Sequence, residues 1–262
     1  MKDFVSRHAL LFSILVVLVY DFGMQGLGAL LEAIPGLGLT PLAVGLIVQG
    51  VACVLIVALI HYLRWWRESG FQRPVRNSAL FAYLPWLLLP LLVMVGAESA
   101  TRSSGIVIAY AVMMLLVGFG EEALMRGVVL RALLPGGVMR AAVVSSLIFG
   151  VAHFFNVFQG HGVAPTIVQV IYAAFIGMGF AGPRLYAGTI WPAIVLHGVI
   201  DFADVASRNF TPIGGGAEAT EAAPFNIGQA ITAIAITGCY ALYGWWLIRR
   251  LRKRRRQAEG AS

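Results

Sequence analysis

The chain predicts an all-α protein, a polytopic transmembrane helical bundle of about eight spans, and three observations carry that reading. Of its 262 residues, 59% are hydrophobic and only 12% charged, where a soluble domain carries about a quarter charged residues. Crossing the hydrocarbon core takes about 20 apolar residues, and eight stretches serve: 9–33, 40–63, 79–97, 106–133, 141–158, 163–182, 186–206 and 227–248. The basic residues then fall on one side of the bundle so drawn.

Taken in order, Lys2 and Arg7 precede the first stretch, and Arg64, Arg67, Arg73 and Arg76 separate the second from the third. The fourth stretch is long enough to tilt or to extend past the bilayer. Arg131 and Arg140 follow it, and Arg184 separates the sixth from the seventh. After the eighth comes a polybasic run, residues 249–256, whose seven Lys and Arg equal the net charge of +7. The opposite loops, 35–39, 98–105, 159–162 and 207–226, hold only Arg102 and Arg208. Basic loops stay in the cytoplasm, so both termini are expected there, in a protein of the plasma membrane. Trp65, Trp66, Trp245 and Trp246 stand at the same ends, as interfacial anchors do.

Residues 1–262 read as a single membrane domain, with 249–262 as a basic cytoplasmic tail attracted to anionic headgroups. No recognition module accompanies that tail, so nucleic acid is not an expected partner; membrane lipids are. The first stretch carries Asp21 and exceeds the apolar core of a signal peptide. Cys53 and Cys239 are far apart and lack metal-ribbon spacing, which makes them small apolar fillers. The glycine-rich piece 213–216 reads as an external loop.

Ionisable residues inside the apolar stretches are where function is expected, because each costs roughly 2.5–3.5 kcal/mol at mid-membrane even on a lenient scale. The fourth stretch holds Glu121, Glu122 and Arg126, the fifth His153, and the seventh His197 and Asp201. Glu121 precedes Arg131 by ten residues, about 15 Å of helix, and His153 and His197 follow Arg140 and Arg184 by thirteen, about 20 Å. All three can therefore meet in one layer. Glu122 and Arg126 are four apart and share a helix face, as do His197 and Asp201. Glu121 is turned about 100° from Glu122 and is expected to be the free carboxylate. Phe149 lies one turn before His153 and is expected to pack beside it. Asp21, Gln49, Gln169 and Asp204 read as packing or hydration residues, and Glu122–Arg126 alone is equally well a structural ion pair.

A carboxylate in a low-dielectric pocket becomes a useful general base. Imidazoles can hold water, donate to an oxyanion or bind a metal. One carboxylate and two imidazoles on three helices thus suit peptide-bond hydrolysis. No GxSxG elbow or HExxH motif occurs, and Tyr20-Asp21 lacks the partner motif of an intramembrane aspartyl protease.

Glu121-Glu122-x-x-x-Arg126, Phe149-x-x-x-His153 and His197-x-x-x-Asp201, in that order, resemble the CAAX-protease and bacteriocin-processing (CPBP) family of intramembrane endopeptidases, which includes the type II CAAX prenyl endopeptidases and Abi-like proteins. Residues 106–206 would be the catalytic core. The resemblance implies a bundle enclosing a hydrophilic cavity open toward the cytoplasm, with Glu121 as the base activating water and His153 sharing that water. His197 with Asp201 would bind the carbonyl oxygen, and Glu122 and Arg126 would hold Glu121 in place. Members are commonly labelled metalloproteases, and a glutamate mechanism without direct metal ligation is also argued for them; a divalent metal such as zinc, where one is used, would take Glu121, His153 and His197 as ligands. The implied substrate is a membrane-bound or lipidated peptide, including prenylated CAAX-type ones, admitted through a lateral opening. Two rivals are a proton-coupled transporter, since intramembrane Glu, Asp and His mark those too, and a non-catalytic immunity or scaffold protein.

Overall fold

A computed structural model describes residues 5, 7–95, 102–208, 210 and 226–259. The expectations placed on Lys2, on the loop residues 98–101, on 213–216 and on the last three residues lie outside the described part. Among the described residues the structure is helical throughout.

Eight rods follow one another in the predicted places. They are α1 (Ala9–Ala33), α2 (Pro41–Leu63), α3 (Asn77–Val93), α4 (Ser104–Gly136), α5 (Val138–Gln159), α6 (Val163–Ala187), α7 (Trp191–Ser207) and α8 (Ile227–Glu259). Six are long and apolar enough to cross a membrane, while α3 and α7 have 17 residues each. The protein is integral to a membrane. Local chemistry sets several of the ends. Thr40 accepts from the Ala43 N–H at 3.2 Å with Pro41 behind it, an N-cap followed by a proline whose missing N–H costs nothing there. Gly188 ends α6 with φ +76, a left-handed conformation that favours glycine.

The structure departs from the expected uniform spans at four places. In α3, Asn77–Leu87 is a 3-10 helix carrying Pro85. That helix rises about 2.0 Å per residue, against 1.5 in an α-helix, so 17 residues reach roughly 30 Å. Proline donates no N–H, and the Ala82 carbonyl that it leaves instead accepts from the Tyr243 hydroxyl of α8 at 3.0 Å. Within α4, residues Ala123–Val129 form a π-helical stretch directly after the two glutamates. The basic run is helical, with α8 continuing unbroken to Glu259. Trp65 is not an interfacial anchor; it is buried, edge-on to Phe12 and under the Arg131 guanidinium, while Trp66 stays exposed.

Close backbone approach pins the rods that carry the ionisable residues. A Cβ added to Gly118 of α4 would fall 2.7 Å from the backbone N of Gly198 and the backbone O of Ile194 in α7. Without a hydrophobic driving force between helices in lipid, such small-residue contacts are what let two backbones meet. They sit one turn from Glu122 and directly beside His197. Gly118→Val is therefore expected to push α4 from α7, costing about 1–3 kcal/mol by overpacking; a lowered melting temperature in detergent tests it.

The basic end of the bundle is closed by the segment between α2 and α3, which folds in against α6 and α7. The Arg184 guanidinium donates to the Glu68 carbonyl at 2.7 Å, the Gln72 side-chain amide to the Gly188 carbonyl at 2.9 Å, and the Ile190 N–H to the Gly70 carbonyl at 3.0 Å.

Candidate active site

Glu121, His153, His197 and Asp201 come from α4, α5 and α7 and line one cavity of about 1780 Å³, together with Phe149. Glu122 and Arg126 lie behind the wall, at 0% and 2% exposure.

The two glutamates have separate environments. Glu122 is spent twice: its Oε1 lies 3.0 Å from Arg126 Nη1, and it accepts from His197 Nδ1 at 2.8 Å. The bond to His197 was not anticipated from the sequence, which paired Glu122 with Arg126 alone. Glu121 keeps 28% of its side chain exposed, and its nearest charged partner is His197 Nε2 at 3.6 Å, too long for a good hydrogen bond. It is the free carboxylate of the pair. Being on the last α-helical turn before the π stretch, the two adjacent residues face different surroundings, and π-bulges recur at functional sites.

His197 is held on several sides. With Nδ1–H donated to Glu122, Nε2 is left toward the cavity, 3.4 Å from Asp201 Oδ2 and 3.6 Å from Glu121 Oε2. Its ring stacks on Phe180 at 5.9 Å and 13°, and Phe180 stacks in turn on Trp86 at 3.8 Å. Phe149 has the Arg126 guanidinium over its face at 4.3 Å and meets His153 edge-on at 4.7 Å. This phenylalanine therefore joins the α4 cation to the α5 histidine. The tautomer of His153 follows from its bond: the Phe149 carbonyl can only accept, so Nδ1 carries the hydrogen at 2.9 Å, and Nε2 is the nitrogen free for the cavity.

The proposed metal ligands are not arranged as a ligand set. Among the described residues no three His, Cys, Asp or Glu side chains group closely enough to hold a metal ion. His153, His197 and Glu121 share the cavity, and His197 Nε2 lies 3.6 Å from Glu121 and 3.4 Å from Asp201.

Residues outside the motifs also reach the site. Gln49 of α2 lines the cavity, and a Cβ on Gly120 would fall 2.8 Å from the Tyr20 hydroxyl of α1. The side-chain oxygens Asp21 Oδ2, Gln49 Oε1 and Glu121 Oε2 are buried with no protein hydrogen-bond partner among the described residues, as expected where water completes the bonding. The sequence signal was Asp21 in α1 and Gln49 in α2, polar residues inside apolar stretches that were expected to serve packing or hydration. Gln169 reaches the cavity as well, accepting from the Asn156 amide at 2.9 Å.

Residues 103–203, which contain every motif position, match the family whose model is described as type II CAAX prenyl endopeptidase Rce1-like. Comparison with curated proteins finds no match.

Proposed function

We propose, from the match of residues 103–203 to the type II CAAX prenyl endopeptidase Rce1-like family, that this chain hydrolyses peptide bonds of membrane-associated peptides with water activated by Glu121. The observation that carries the reading is the division of labour between adjacent carboxylates. Glu122 is buried and committed to Arg126 and His197, whereas Glu121 is uncommitted and open to the cavity that His153, His197 and Asp201 also line.

Glu121 takes a proton from a cavity water as the water oxygen bonds to the scissile carbonyl carbon. The carbonyl π electrons move onto its oxygen, giving a tetrahedral oxyanion. Glu121 then returns the proton to the amide nitrogen, the C–N bond breaks, and an acid and an amine leave. His153, with hydrogen fixed on Nδ1, accepts from the attacking water through Nε2 and aims its other lone pair at the carbon. His197, held by Glu122, donates from Nε2 to the oxyanion, and Asp201 balances the imidazolium. No step is assigned to a metal.

The family match supports the protease over the transporter and the scaffold. The cavity also ends at the Glu121–His197 layer, above the packed Phe180–Trp86 pair, as suits a reaction chamber. The test is a pool of lipidated and plain peptides offered to detergent-purified protein and read by mass spectrometry. New fragments support the reading and reveal the substrate class; an intact pool together with substrate-driven proton flux in proteoliposomes would move the assignment to transport. Cleavage is expected to persist after chelation to well below one metal per protein. Loss on chelation with recovery on zinc would mean that the ligand set assembles only around the ion.

A further inference from the structure

The expectations of cytoplasmic termini and of a cavity open to the cytoplasm cannot both hold. The cavity is lined by Gln25 and Glu32 near the end of α1, Pro41 at the start of α2, Val95 after α3, Gln159 at the end of α5 and Gln229 at the start of α8. Successive rods run in opposite directions, so these ends all belong to one face of the bundle. From there the cavity runs down to Ile176 of α6 and Thr237 of α8, about 15–20 Å by helix rise, and among the described residues none of the other face lines it.

That other face carries Arg7, Arg64, Arg67, Arg73, Arg76, Arg131, Arg140, Arg184 and the basic end of α8. It is also the face closed by residues 64–76, with the Arg184–Glu68, Gln72–Gly188 and Ile190–Gly70 bonds across the seam. The charge distribution is a property of the sequence and the cavity a property of the packing. Each points independently to a difference between the two faces, and basic flanks mark the cytoplasmic one.

We infer that substrate reaches Glu121 from the non-cytoplasmic side, so that the bond cleaved lies in an exported or translocated part of a membrane-associated peptide and not in a cytoplasmic lipidated C-terminus. This rests on the endopeptidase reading above. The chemistry of the wide end fits a peptide chain. Gln25, Asn156, Gln159, Gln169 and Gln229 offer amides that both donate and accept, as a peptide backbone requires, and the Asp204–Arg208 pair, 3.0 Å apart, leaves no net charge between its members. With Glu32 at the same end, an extended segment that is not acidic is the occupant that these groups recognise.

The experiment separates the two levels. A water-soluble peptide cleaved by the detergent-purified enzyme is given to right-side-out and to inside-out membrane vesicles. Failure in detergent overturns the endopeptidase reading itself. At least tenfold faster cleavage by right-side-out vesicles is the expected result, and faster cleavage by inside-out vesicles overturns the inference while leaving the enzyme intact. Orientation is fixed independently by Gln229→Cys and Arg67→Cys in a Cys53→Ser, Cys239→Ser background. An impermeant maleimide is expected to label the first in intact cells and the second only after permeabilisation; the reverse pattern overturns the inference.

Discussion

Glu121→Gln is expected to lower peptide cleavage by about two to four orders of magnitude, the range that a positioned general base supplies, with little loss of stability. The substitution keeps the shape of the side chain and removes its ability to take a proton. Stability should hold because Glu121 is not a structural partner: it is part-exposed, and its approach to His197 is 3.6 Å. Glu122→Gln is the necessary contrast. That residue is fully buried, ion-paired with Arg126 and hydrogen-bonded to His197, so losing its charge should lower the melting temperature and the activity together. Measuring kcat and Tm on both variants decides the assignment. A Glu121→Gln enzyme within tenfold of the parent would move the base elsewhere, and Asp201, at 30% exposure on the same cavity, would be the next candidate.

The contrast between the two glutamates was legible in the sequence because helix geometry alone turns adjacent residues about 100° apart and puts Glu122 over Arg126. The rods were legible for a similar reason, since lipid demands long apolar stretches whatever the fold. Less was legible where packing decides. Nothing in the composition of Ala123–Val129 announces a π stretch. Residues 64–76 looked like an ordinary basic loop, yet Trp65 and Gly70 are buried in the closed end, because the backbone groups there find partners on α6 and α7. The side on which the cavity opens depends on which rod ends splay apart, and no single rod encodes that. Glu122 meeting His197 required knowing that α4 touches α7; Gly118 and Gly198, each close in sequence to its motif residue, are the signal that pointed there and went unused.

Arg126→Ala is expected to be among the most destabilising single substitutions in the chain. The guanidinium lies 3.0 Å from Glu122, 4.3 Å from the Phe149 ring and 5.8 Å from that of Phe180. Removing it leaves the Glu122 carboxylate buried with His197 as its remaining partner, and breaking a buried pair from one side costs about 3–5 kcal/mol. Arg126→Lys should recover part of that loss, since it keeps the charge but not the planar guanidinium that lies over Phe149. The double variant Glu122→Leu, Arg126→Met gives the most informative outcome, because replacing a buried pair with apolar side chains of similar volume can be nearly neutral for stability while it removes the acceptor of the His197 Nδ1–H. If the pair only stabilises the bundle, the double variant should regain both melting temperature and cleavage. If its work is to anchor His197 through the 2.8 Å Nδ1–Glu122 bond, stability should return while kcat stays at least tenfold down with KM little changed. The second pattern is the expected one, because the same Oε1 atom serves Arg126 and His197: the cation holds the carboxylate and the carboxylate holds the imidazole.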